Sequence, residues 1–100
     1  MKVYISGPIS GTTDYMERFA KAQTCLESRG FTVVNPALVN SNLPEDTTYD
    51  EYMKMSFCML DMCDTIFMLK NYTDSNGALL ELERAKKNSY CILYEAIVSV

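Results

Sequence analysis

The run Thr65-Ile66-Phe67-Met68-Leu69 is apolar almost without interruption, so a strand built from it has no polar face to offer water. Such a strand belongs inside a sheet covered on both sides, which is the habit of parallel sheets. Three other runs, Val3-Tyr4-Ile5, Phe31-Thr32-Val33-Val34 and Tyr90-Cys91-Ile92-Leu93-Tyr94, have the β-branched and aromatic content of strands. The first stops at Ser6-Gly7-Pro8 and the second at Asn35-Pro36. Between the strands the apolar spacing becomes helical. Met16, Phe19, Ala20, Gln23 and Leu26 predict a first helix, with Asp14 and Glu17 at capping-box distance and Gly30 placed to end it. Residues 35 to 47 read as a loop. Thr48 and Glu51 then predict a second capping box, opening a helix through about Cys63 whose inward stripe is Met53, Ser56, Phe57 and Leu60. A last helix is expected from about Ala78 to Asn88.

The order β-α-β-α-β-α-β predicts an α/β fold with right-handed crossovers. The expected form is a flavodoxin/Rossmann-like three-layer sandwich around a four-stranded parallel sheet, strand order 2-1-3-4. One hundred residues are enough for one such domain and too few for two. The net charge of −4 speaks against nucleic acid or an anionic membrane as partner, because both require clustered Lys and Arg. The opening MKVYISGP lacks the apolar run of a signal peptide, no stretch reaches transmembrane length, and a cytoplasmic protein is expected. The four cysteines lack CxxC spacing and there is no histidine, which argues against a zinc site and against any histidine-based triad. Neither metal nor cofactor is expected, and the thiols are expected to be free in the core.

In sheets of this kind the ligand crevice lies beyond the carboxyl ends of the strands. Three segments should meet there: Ser6 to Gly11, Lys70 to Gly77, and the residues after Val34. The loop Ser6-Gly7-Pro8-Ile9-Ser10-Gly11 could present backbone amides to an anion at the following helix N-terminus, or could be only a tight turn. Glu81 lies about one turn into the last helix, where terminal amides and the helix dipole would favour its ionised form. It reads either as a nucleophilic carboxylate or as a solvated first-turn glutamate. Ser56 interrupts an apolar stripe and either bonds back to a helix carbonyl or faces a ligand. Met53, Met55, Met59 and Met62 on one helix exceed what a single buried face needs, which makes self-association through that helix an expectation.

Tyr4-Ile5-Ser6-Gly7-Pro8-Ile9-Ser10-Gly11, Tyr52-Met53, Cys63-Asp64 and Ser75-Asn76-Gly77-Ala78-Leu79-Leu80-Glu81 together resemble the nucleoside 2-deoxyribosyltransferase superfamily. Within it the sequence is similar to a small branch known as the domain of unknown function 4406 family, and the resemblance covers nearly the whole of residues 1–100 as one domain. It implies an N-glycosidase or deoxyribosyltransferase, hence a hydrolase or transferase, acting on a small-molecule nucleoside or nucleotide. Glu81 would be the nucleophile and Tyr4 the residue that orients it. The implied binding residues are Ser6, Gly7, Pro8, Ile9, Ser10, Gly11, Ser56, Ser75 and Gly77. Ser75 stands where some relatives carry an acid and others a phosphate-holding serine, which tilts the expectation toward a 5′-phosphorylated ligand. Ser56 departs from the pattern, because relatives carry there an aspartate that helps protonate the leaving base. Asp61 could replace it only if the helix were rotated. The alternative is a non-catalytic nucleotide-binding module that senses or sequesters its ligand. A homodimer or higher homo-oligomer is implied, with Glu95 and the carboxylate of Val100 as groups that could reach a neighbouring subunit.

Overall fold

Residue parity in the first strand organises the molecule, whose residues 1–96 are described by a computed structural model. Strand β1 (Lys2–Ser6) turns Val3 and Ile5 to one side of the sheet and Tyr4 to the other, as the two-residue repeat of a strand requires. With β2 (Thr32–Val34), β3 (Thr65–Met68) and β4 (Cys91–Tyr94) it forms an all-parallel sheet in the order β2-β1-β3-β4, as expected. Helices α1 (Tyr15–Ser28) and α2 (Pro36–Asn40) lie on the first side, where Phe19, Ala22, Leu26 and Ala37 pack against Val3, Ile5 and Leu69. Helices α3 (Tyr49–Asp61) and α4 (Asn76–Lys87) lie on the second, where Met59, Leu60, Ala78, Leu82 and Ala85 pack against Tyr4, Ile66 and Met68. β3 is consequently buried on both faces, and its register with β1 pairs Ser6 with Met68 at the carboxyl end. Among the described residues no helix is long and apolar enough to cross a membrane.

Local chemistry sets the helix boundaries. The Thr48–Glu51 capping box forms in full: Glu51 N–H donates to Thr48 Oγ1 at 3.2 Å, and Thr48 N–H donates to Glu51 Oε1 at 2.9 Å. The one expected at Asp14 does not form, because that side chain makes no cap bond and lies 3.7 Å from Arg18 Nε instead. The inward face of α1 carries Ala22, while Met16 and Ala20 are exposed. The stretch expected to be all loop contains α2, for which Asn35 is the N-cap, accepting from Ala37 N–H at 3.0 Å, and Pro36 takes the first turn. Of the four cysteines, all free, only Cys63 is buried, which corrects the expectation of core thiols at Cys25, Cys58 and Cys91. Met59 is in the core, Met53 is half-buried, and Met55 on α3 and Met62 just past its end are exposed. The Glu95 carboxylate accepts from Lys70 N–H at 2.8 Å within its own chain, and Val100 lies outside the described residues.

The loop after β1 is glycine-dependent for a packing reason. A Cβ placed on Gly7 would sit 2.6 Å from Leu69 Cδ1 and 3.0 Å from Leu69 Cβ, and Leu69 is itself fully buried. Gly7→Ala should therefore cost about 1–3 kcal/mol of stability, as overpacking does. Denaturant unfolding of Gly7→Ala, Leu69→Ala and the double variant checks this: the double variant should lose less than the sum of the single ones.

Candidate active site

Helix α4 buries one face, formed by Ala78, Glu81, Leu82 and Ala85. This i, i+3, i+4, i+7 pattern places a carboxylate where an apolar side chain would ordinarily pack. Ser75 fixes the helix start by accepting from Ala78 N–H at 3.1 Å. Across from α4, the even-numbered residues of β1 face the same layer. Tyr4 donates its phenol O–H to Glu81 Oε2, and Ser6 donates its hydroxyl to Glu81 Oε1 at 2.7 Å. Glu81 is 6% exposed and Tyr4 1%, so each carboxylate oxygen has a hydroxyl donor in a nearly dry setting.

Above this carboxyl group opens a cleft of about 480 Å³, a size suited to a small organic ligand. The three expected segments do converge on it: the loop after β1 contributes Gly7, Ile9 and Ser10, the loop after β3 contributes Asp74 to Gly77, and Pro36 and Asn40 follow β2. Ser56 and Ser75 are on the wall, as are Tyr4 and Glu81. Ser6, Pro8 and Gly11 are not. Ser6 and Pro8 are buried beside the cleft, and Gly11 takes a positive φ of 78° in the exposed turn beyond it. Gly77 keeps the wall low, since a Cβ there would meet Met53 Sδ at 3.2 Å. The remaining wall was not foreseen: Tyr49, Tyr52 and Met53 descend the same stripe of α3 as Ser56, opposite Tyr15 and Phe19 of α1. The spacing 49, 52, 53, 56 is a helical repeat that overlaps the inward stripe read from the sequence, one turn earlier. Asp61 does not reach the cleft. It holds Arg84 through two hydrogen bonds of 2.8 and 2.6 Å on the exposed side of α3 and α4.

The electrostatics of Glu81 reverse the expectation of a carboxylate kept ionised by the helix terminus. Burial pushes its pKa up to about 7, and the hydrogen bonds from Tyr4 and Ser6 only partly offset that cost. Tyr4 is raised well above its ordinary value, first by its own burial and then by the charge of Glu81. The neighbouring Ser56 hydroxyl, which favours the phenolate, pulls the other way. Because the folded protein retains the Glu81 proton after the unfolded chain has lost it, stability is fully present below about pH 4.5 and is lost as pH rises to about 7. The loss attributable to Glu81 should be about 3 kcal/mol. Urea unfolding across this pH range checks it, since Glu81→Gln should remove this part of the slope.

The family model for the domain of unknown function DUF4406 matches residues 1–94 of the chain. Among curated proteins none matches the sequence. A solved structure from the psychrotolerant bacterium Bacillus psychrosaccharolyticus is similar in fold, with a TM-score of 0.74 over 99% of this chain and 77% of that one. It is a 2-deoxyribosyltransferase, described as a biocatalyst for the industrial synthesis of antiviral and antitumoral nucleosides, and is 19% identical in sequence. With its four parallel strands in the order 2-1-3-4 and the family match running through β4, the chain belongs to the DUF4406 family and has the fold of a 2-deoxyribosyltransferase.

Proposed function

We propose that this protein cleaves the N-glycosidic bond of 2′-deoxynucleosides, with Glu81 as nucleophile. The observation that carries this reading is the buried Glu81 carboxyl group, held by the Tyr4 hydroxyl at the base of a nucleoside-sized cleft. A carboxylate oxygen bonds to the anomeric carbon as the carbon–nitrogen bond breaks, its electron pair leaves with the base, and a proton from water neutralises the base. Water, or a second base in a transfer reaction, then attacks the same carbon. The ester bond to Glu81 breaks, its electron pair returns to the carboxylate, and the proton of the incoming group passes to solvent. Tyr49, Tyr52 and Tyr15 supply aromatic surface for stacking on a base, which every base can use. Reaction requires the ionised nucleophile, so the rate rises with pH through about 7.

The charge of the cleft favours the free deoxynucleoside over its 5′-monophosphate. Among the described residues lining it there is no Lys or Arg, and two carboxyl groups, Glu81 and Asp74, are present. A phosphate would have to rely on Ser10, the Ser75 hydroxyl and backbone amides alone, against the repulsion of Asp74. A second reading, a nucleoside-binding protein without turnover, is favoured by Ser56, a neutral hydroxyl where a proton donor would assist departure of the base. Loss of such a donor costs roughly 10²–10⁴-fold in rate.

Base release from deoxynucleosides and their 5′-monophosphates, with and without an acceptor base, tests the proposal. Glu81→Ala should lower release by more than about a thousandfold. Ligand-induced stabilisation with no release from any substrate would establish the binding reading instead. Asp74→Asn should improve binding of the monophosphate relative to the nucleoside by roughly two- to fivefold, an effect that fades at high salt.

A further inference from the structure

We infer that Ser6 is a positioning residue that holds Oε1 of Glu81 throughout the reaction and leaves Oε2 as the oxygen that bonds to the sugar. The inference rests on the catalytic reading of Glu81 and adds to it which oxygen reacts and which donor stays in place. Its basis is the asymmetry of the two hydrogen bonds. Tyr4 and Glu81 both line the cleft, whereas Ser6, as deeply buried as Tyr4, is absent from its wall. This assigns the oxygen bound by Tyr4 to the ligand side of the carboxyl group and the oxygen bound by Ser6 to the sheet side.

The chemistry separates the donors further. When Oε2 forms the ester bond to the anomeric carbon it becomes a poor acceptor, and the Tyr4 O–H must leave it. Ser56, on the same cleft wall as Tyr4, offers the phenol another hydroxyl to turn to. Oε1 becomes the ester carbonyl oxygen and remains a good acceptor, so the Ser6 bond at 2.7 Å persists. In the second step the electron pair of the breaking C–Oε2 bond returns to the carboxylate. The Ser6 hydroxyl, waiting on Oε1, stabilises that charge as it forms. Among the described residues the Ser6 side chain has no other bond, and its backbone carbonyl is tied down by Leu69 N–H at 2.9 Å, which fixes the hydroxyl's origin.

The groups facing Glu81 are few enough for its titration to report on Ser6. Tyr4 is the titratable neighbour from β1, α3 presents the neutral Ser56 with Tyr49 and Tyr52, and Asp74 stands on the cleft wall before α4. Carboxyl-carbon NMR of the full chain labelled at glutamate reads the Glu81 midpoint without any substrate. Ser6→Ala should move that midpoint upward, and Ser6→Thr, which keeps the hydroxyl, should restore it. In single-turnover assays Ser6→Ala should shift the acid limb of base release in the same direction. It should also slow sugar release relative to base release at least tenfold, so that the glycosyl-enzyme accumulates. A folded Ser6→Ala variant whose Glu81 titrates at the wild-type midpoint would overturn the hold on Oε1, and equal slowing of both steps would overturn the assignment of Oε2. If wild-type protein releases no base, the catalytic reading fails and takes the Oε2 assignment with it, while the titration still decides what Ser6 does to Oε1.

Discussion

The interaction on which the rest of the structure turns is the pair of hydrogen bonds from β1 to the carboxyl group of Glu81. A carboxyl group so nearly dry is costly in its charged form and tolerable when protonated or fully hydrogen-bonded. Both donors come from one strand, at positions four and six, because only alternate residues share a face. The intervening Ile5 and the preceding Val3 serve the opposite core. One short strand thus holds a site and a hydrophobic core back to back, and its position in the middle of the sheet follows from having to satisfy both.

Helix α4 meets that strand with complementary spacing. Ala78 and Ala85 are small enough to bring the helix close to the sheet, and Glu81 occupies the gap between them together with Leu82. Ser75 sets where the helix begins, and so how far along it the carboxylate falls. The cleft exists because α3 does not close over this point. Its first two turns present Tyr49, Tyr52, Met53 and Ser56 to the cavity, whereas Met59 and Leu60 further on belong to the core.

Much of this was legible from residue order. The near-continuous apolar character of Thr65 to Leu69 marked the central strand, the Thr48–Glu51 spacing marked the start of α3, and the convergence of three loops placed the cleft. Other features were hidden by competition between equally reasonable partners. Asp14 stood at capping-box distance from Glu17, but its side chain lies by Arg18 instead. Asn35-Pro36 looked like a strand stop but is also how a short helix opens, and α2 follows. The environment of Glu81 was the largest surprise, because helix position suggests an ionised group while burial, a tertiary effect, dominates. The aromatic wall of α3 was masked by a stripe only one turn away that satisfied the same helical period.

The two donors and their acceptor are separated by 75 and 77 residues of chain. During synthesis β1 emerges well before α4, and its inward hydroxyls must wait for that helix with nothing equivalent to bind. Until α4 docks, Glu81 is a hydrated anion on an unfinished surface, and its final placement strips water from it and draws in a proton. The pocket floor therefore comes into being only once α4 has docked, long after the strand that supplies its donors was made. A chain interrupted anywhere before α4 carries the strand and the loop but has nothing for them to hold.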